Sequence, residues 1–325
     1  MTTSTPFVSV IVLTHNRLSM LKGAVETLLH QDYPPDAFEI IVVNDGSSDG
    51  TRTWLDQQSD QRIRAVHQAA LGIPSARNAG IRAAKGDLIA IVADDYLLAP
   101  DYVSTFVDFL QSHPDARIVR FGIVPSDRWP GSLLSHFYYD LSFRKRLLPH
   151  AWPKSASRRE KLRTYFQKLP DTPETISTDH RLEAAGAAAF RRDVFDEVGL
   201  FDEQLKRAED TDLSHRLRER GIAIYYNPHH KIRHRYGRWG GDTLKKSYES
   251  GIYAARLHVK LRAQAGPDAP VSQGLLYRIL LLFWRFRQAG LLKSFVLWPG
   301  IVLFEGAWQA GYLQEKTRRA FRRTD

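Results

Sequence analysis

Two adjacent carboxylates, Asp94 and Asp95, close an apolar run in GDLIAIVADDYLLAPDY. A buried strand ending in paired acids carries negative charge to one edge of a sheet. Neighbouring carboxylates repel, and a cation shared with a phosphate relieves that cost. Taken alone, an Asp-Asp pair fits a solvated strand-end turn better. A second acidic pair, Glu209-Asp210, opens the stretch EDTDLSHRLRERG. A carboxylate placed beside a hydroxyl can remove its proton during attack. Acids in a first helical turn also oppose the helix dipole, which is a structural use of the same pattern. Three histidines, His229, His230 and His234, follow in NPHHKIRHRYGRW. They lack the third good ligand and the helical frame expected of a zinc site.

The elements that must position these groups alternate at short intervals. Phe7 to Leu13 and Phe38 to Val43 are continuous apolar runs, as expected of parallel strands covered on both faces. Arg62 to His67, Leu88 to Val92, Ala116 to Val124 and Ile222 to Tyr226 read as further strands, and AAGAAAF after Leu182 as a small-residue strand. Helical patterns lie between them, one opened by Pro74 and stopped by Gly86, another running from Glu209 to Arg220. Strand–helix alternation of this kind predicts a doubly wound α/β sheet. Its right-handed crossovers put the carboxyl ends of the strands on one side, where ligands bind. Thr14-His15-Asn16, Asn44-Asp45 and Asp94-Asp95 all stand at such ends. No GxGxxG follows the first strand and no GxxxxGK[ST] occurs, which argues against dinucleotide and P-loop sites.

These segments, in this order, resemble family-2 glycosyltransferases of the GT-A fold. The match is carried by VSVIVLTHNR, EIIVVNDGSSDGT, GIPSARNAGIRAAKGDLIAIVADD and FRRDVFDEVGLFDEQLKRAEDTDLSHRLRERG, and spans roughly residues 7–240. The resemblance implies a mixed, Rossmann-like sheet and an inverting transfer of one sugar from a nucleoside-diphosphate sugar. UDP is the commonest donor nucleotide of the family, so a UDP-sugar is the expected donor. The resemblance also implies roles. Thr14, His15, Asn16, Arg17 and Asp45 would contact base and ribose, and Arg77 would face the diphosphate. Asp94 would meet the ribose or the metal, Asp95 would ligate Mg²⁺ or Mn²⁺, and His234 would reach the metal or the diphosphate. Asp210 would be the catalytic base. Two departures stand out. The family's usual metal motif is Asp-x-Asp, whereas this chain has Ala93-Asp94-Asp95. Processive synthases carry Gln-x-x-Arg-Trp, whereas this chain has Arg235 where the Gln would be, ahead of Arg238-Trp239. Addition of a single sugar is therefore expected.

The net charge of +10 over 325 residues points to an anionic partner. With no cysteine, disulfides and thiolate metal sites are excluded. No nucleic-acid motif accompanies the charge, and a nucleic-acid partner is not expected. The amino-terminal segment has no basic stretch before its apolar run, so no signal peptide is expected. From Pro125 to Asp179 aromatic residues such as Trp129, Tyr138 and Trp152 interleave with Arg144, Lys145, Arg158 and Arg163. This is a candidate wall for a glycan or lipid-linked acceptor, or else a set of solvated helix faces. The expected domains are a catalytic unit over residues 1–240, with a nucleotide half 1–124 and an acceptor half 125–240, and a helical extension over 241–325. Within the extension, Leu275 to Phe286 carries two arginines on one face, and Phe295 to Leu313 is interrupted by Pro299. Basic flanks beside apolar faces suit either an anionic membrane surface or a homodimer contact. A cytoplasmic location, peripheral on the inner face of the cell membrane, is expected. The competing reading is a non-catalytic nucleotide-sugar-binding scaffold with a degenerate site.

Overall fold

In the computed structural model, residues 5–126, 182, 185–235, 241–265 and 291–321 are described. The apolar runs become the parallel half of an eight-stranded mixed sheet. Its strands are β1 (Val8–Thr14), β2 (Phe38–Asp45), β3 (Ile63–Gln68), β4 (Leu88–Ala93), β5 (Tyr96–Leu97), β6 (Ile118–Pro125), β7 (Ala187–Arg191) and β8 (Tyr225–His234), in the order β3-β2-β1-β4-β7-β6-β8-β5. β3, β2, β1 and β4 run parallel. β7 is antiparallel to both β4 and β6, and β8 is parallel to β6. The register pairs Thr14 with Asn44 and Leu13 with Ala93. Three strand ends that carry polar residues therefore finish at one level.

Helices α1 (Leu18–Leu29), α2 (Thr51–Asp56), α3 (Ile73–Ala83) and α4 (Tyr102–Ser112) connect the parallel strands and lead into β6, while α5 (Asp193–Val198) and α6 (Glu209–Glu219) follow β7. α3 lies hard against the sheet. A Cβ at Gly80 would stand 2.4 Å from Ile11 Cγ2 and 3.2 Å from Val43 Cγ2, so only glycine admits this approach. Ala187, Ala188 and Ala189 of β7 are fully buried in the core. Their small size serves packing between β4 and β6.

The region after Ile222 differs from expectation. The strand does not end at Tyr226 but continues through the histidines to His234. Alternating burial marks it as half-exposed, unlike the fully covered β1 and β2. Pro228 is absorbed where the pairing with β6 slips, Phe121 matching Asn227 but Gly122 matching Lys231. A proline in a strand belongs at such an irregularity.

The chain divides into two compact units, Met1–Arg128 with Glu174–Arg235, and Trp129–Pro173 with Tyr236–Asp325. In the second, α7 (Gly241–Ala265) and α8 (Leu291–Phe321) run side by side in the same direction. Gly251 and Gly311 let each helix touch the other's backbone. Glu315 gathers Arg256 and Arg319 at 3.0 and 2.9 Å. The expected interruption at Pro299 does not occur. The helix continues through it, because proline removes one backbone hydrogen bond without necessarily ending a helix. Among the described residues no helix is long and apolar enough to cross a membrane. The aromatic and basic residues of 129–163, Arg238, Trp239 and the stretch Leu275–Phe286 lie outside the described residues.

Candidate active site

Asp94 and Asp95 follow β4 directly and are both buried. Thr14 Oγ1, at the end of β1, donates to Asp94 Oδ2 at 2.9 Å. Arg17, at the start of α1, spans the pair. Its Nη1 donates to Asp94 Oδ1 at 2.8 Å and its Nη2 to Asp95 Oδ2 at 2.7 Å. From the other side β5 pairs antiparallel with the end of β8, matching Tyr96 to His234. That pairing places His234 Nε2 3.1 Å from Asp95 Oδ2, with the ring edge-on to Tyr96 at 5.1 Å. Asp95 Oδ1 is buried and has no hydrogen-bond partner among the described residues.

The two acids differ electrostatically. Burial pushes the Asp94 carboxyl up to about 6, since Arg17 offsets the desolvation and the repulsion from Asp95 only in part. Burial also acts on Asp95, but His234 and Arg17 outweigh it and hold that carboxyl well below the usual range. Arg17 loses solvation too, and the two carboxylates more than restore its charge. Among the described residues no three His, Asp or Glu side chains converge as a ready-made metal cage.

The neighbouring loops are stitched to one another by short polar side chains. His15 Nδ1 contacts the carbonyl of Asp45 at 2.6 Å. Asn16, with φ 53°, accepts the Ser48 amide at 2.7 Å and donates its own to Ser47 Oγ at 2.9 Å. Asp49 accepts the Leu18 amide at 2.9 Å and the Thr51 hydroxyl at 2.5 Å. Asp45 binds the loop before α3, accepting from Gln68 Nε2, the Leu71 amide and the Gly72 amide at 2.7, 2.8 and 2.9 Å. Thr14, His15, Asn16, Arg17, Asp45, Asp94 and Asp95 thus form one connected rim. Ser47, Ser48 and Asp49 also belong to it. The NDGSSDGT stretch carries their signal, in short polar side chains that bond nearby backbone amides.

The second acidic pair reaches the same edge through α3, whose first turn follows the carboxyl end of β3. Arg77 Nη1 donates to Glu209 Oε1 at 2.5 Å, and its guanidinium lies 5.0 Å above the Phe201 ring. Asn78, next on the helix, binds the Phe201 carbonyl and amide, each at 2.9 Å. Arg77, expected to face the diphosphate, is therefore tied to the acidic pair. Burial raises the Glu209 carboxyl well above its ordinary value, the nearby Asp210 charge raises it further, and Arg77 pulls part of the way back. Asp210 is only half-buried, and its Oδ1 accepts the Thr211 amide at 2.8 Å. The residue before the pair, Ala208, takes a left-handed conformation with φ 71°. Strain of this kind gathers at functional sites.

The sequence profile of glycosyl transferase family 2 matches residues 9–199, more than half of the chain. The chain belongs to glycosyl transferase family 2. This family-2 chain is 31% identical over 247 residues to validoxylamine A glucosyltransferase of Streptomyces hygroscopicus subsp. limoneus, an overlap of 69% of the chain and 50% of that protein. It thus spans about half the length of that relative, and likewise of the one from S. hygroscopicus subsp. jinggangensis. It is 27% identical over 278 residues to glucosyl-dolichyl phosphate glucuronosyltransferase of Haloferax volcanii, covering 80% of each. Its fold is that of the mannosyltransferase PcManGT from Pyrobaculum calidifontis, solved in complex with GDP-Man and Mn²⁺. The TM-score is 0.58 at 18% identity, over 96% of this chain and 88% of that one. The expected GT-A fold is therefore present.

Arg235 also gains a role. Its backbone amide donates to the Asp95 carbonyl at 2.8 Å, and its side chain reaches the Met20 carbonyl across Gly23. The arginine that replaces the processive enzymes' glutamine thus ties β8 to α1 beneath the acid pair.

Proposed function

We propose that this family-2 glycosyltransferase moves one hexose from a nucleoside-diphosphate sugar, with UDP as the first choice of nucleotide, to a glycan or lipid-linked hydroxyl with inversion. The observation that carries the reading is the buried pair at the end of β4, where Asp95 keeps a carboxylate oxygen that no described donor satisfies. An anionic oxygen left over in a buried acidic pair fits a hard divalent cation, which takes oxygen ligands from few protein groups and completes its shell with phosphate. Asp95 would hold Mg²⁺ or Mn²⁺, and His234 stands beside the same carboxylate. When bound, the cation would act as a Lewis acid on the departing diphosphate.

The chain's own groups would do the rest. The acceptor oxygen attacks the anomeric carbon, its proton passes to the Asp210 carboxylate, and the bond from that carbon to the diphosphate oxygen breaks. Asp210 suits the task because it is only half-buried while its neighbour Glu209 is held by Arg77. Arg77 would serve the reaction by fixing that turn, and the diphosphate is its second candidate partner. Thr14, His15, Asn16, Arg17 and Asp45 line the rim that would receive base and ribose. Asp94, held by Thr14, faces the ribose in this reading.

The acceptor side rests on chemistry alone. A net charge of +10, and exposed Val302, Leu303 and Leu313 on α8 with Arg318 beyond them, support a peripheral place on an anionic inner membrane face. Sedimentation with anionic liposomes tests this, and an unbound protein would refute it. The donor site is tested by calorimetry with UDP and GDP, with and without Mn²⁺. Asp95→Ala is expected to abolish the metal-dependent part of nucleotide binding; unchanged binding would sink the assignment. Ala93 favours a second reading, donor binding without turnover. Release of nucleoside diphosphate from a donor sugar separates the two.

A further inference from the structure

The acidic pair carries a cation of its own. Asp94 and Asp95 are 3% and 8% exposed, and one guanidinium bridges them with two short bonds. Two buried carboxylates need such a partner, because an unpaired buried charge is costly. Arg17 is not locked in place as a structural arginine would be. Its side chain is 40% exposed, and among the described residues its side-chain hydrogen bonds go only to these two acids. Asp95 Oδ2, the oxygen that Arg17 holds, is also the one that His234 approaches. A divalent cation that engages this carboxylate therefore meets the guanidinium already on it.

Building on the proposed metal role of Asp95, we propose that Arg17 is an exchangeable counter-ion. It neutralises the acid pair in the free protein and yields Asp95 to a divalent cation only when a nucleoside diphosphate arrives with it. Formal charge explains the coupling. Two carboxylates set against the guanidiniums of Arg17 and Arg235 leave the free site close to neutral. A divalent cation alone would turn it positive and set two cations against each other at low dielectric. A sugar nucleotide adds two negative diphosphate charges, which restore the balance and give the displaced guanidinium an anion that suits its planar fork. Metal and nucleotide then strengthen each other's binding by the same factor, as linkage requires. Arg17, assigned to base and ribose by family resemblance, becomes the residue that makes the free site resist metal.

Mn²⁺ binding to the full chain, read from the electron paramagnetic resonance of the free ion, tests this without any turnover. The arms are wild type, Arg17→Ala and Arg17→Lys, each with no nucleotide, with UDP and with GDP. Losing two charge-assisted bonds should tighten binding of Mn²⁺ alone by on the order of tenfold or more in Arg17→Ala. The gain that nucleotide gives should shrink by the same factor. Arg17→Lys keeps the charge but cannot bridge both acids, and should fall between. Mn²⁺ bound no more tightly by either variant than by wild type would overturn the exchange while leaving the metal role of Asp95 intact. Mn²⁺ bound by none of the three, with or without nucleotide, would overturn both.

Discussion

The two acidic pairs of the catalytic unit are built from the same parts and held differently. Each has two adjacent carboxylates at the active edge and one arginine from a loop or helix start far away in sequence. Arg17 is half-exposed and touches both of its acids, whereas Arg77 is 8% exposed, packed on Phe201 and, among the described residues, bonded to Glu209 alone. The first arrangement neutralises a pair whose partner can change. The second immobilises one acid and leaves its neighbour, Asp210, half-buried. On the proposed roles, a cation-binding pair needs a guanidinium that can leave, and a base needs a neighbour that cannot move. Burial of the arginine, more than the acids themselves, separates the two uses.

The contrast can be tested most severely at Asp210, the proposed base. Asp210→Asn should slow transfer by about 10²–10⁴-fold and leave Mn²⁺-dependent nucleotide binding as in wild type. Undiminished turnover would erase the distinction between the pairs. Next in size is stability. Arg77→Ala strands a buried carboxylate and should cost about 3–5 kcal/mol by urea denaturation. Arg17→Ala also leaves buried carboxylates short of a donor, but His234 stays beside Asp95 and Thr14 on Asp94, so its cost should be smaller, about 1–3 kcal/mol. Equal losses would show that both arginines are structural. Ala208→Gly relieves the left-handed residue before Glu209 and should stabilise by about 1 kcal/mol. Reduced activity in that variant would mean that the strain itself aims Asp210.

The smallest effect probes a titratable group outside both pairs. His230 is buried against Tyr102 and Phe121, and burial lowers its pKa below the ordinary 6.5 although Asp101 pulls upward. The folded state favours the neutral ring, so this stabilisation is full above pH 6.5 and fades as pH falls through the depressed value. His230→Phe should flatten the melting temperature against pH in that window. An unchanged slope would assign the acid sensitivity to the carboxylate pairs.

The parallel half of the fold was legible because strands covered on both faces must be apolar without interruption, as β1, β2 and β4 are. The end of β8 was not, since it alternates and contains Pro228, and a proline reads as a break until a slipped register accommodates it. The strand ends that gather Thr14, Asp45 and Asp94 could be foreseen from topology. The identity of each acid's partner could not. Arg17 meets Asp94 across 77 positions and Arg77 meets Glu209 across 132, and no local pattern encodes such pairings. Arg235 showed its type as a departure from a motif, but its use appears only with Gly23 beneath it.

Gly80 shows how far the chemistry depends on a missing methyl group. One face of α3 presses Gly80 onto Ile11, and Arg77 reaches Glu209 from three residues earlier on the same helix. The depth at which the helix seats therefore sets the position of Glu209 and, beside it, of the proposed base. Even an alanine there would act as a shim, raising the helix while every strand beneath it kept its pairing. Such a chain would lose about 1–3 kcal/mol to the crowded core and carry the turn that Arg77 fixes away from its seat.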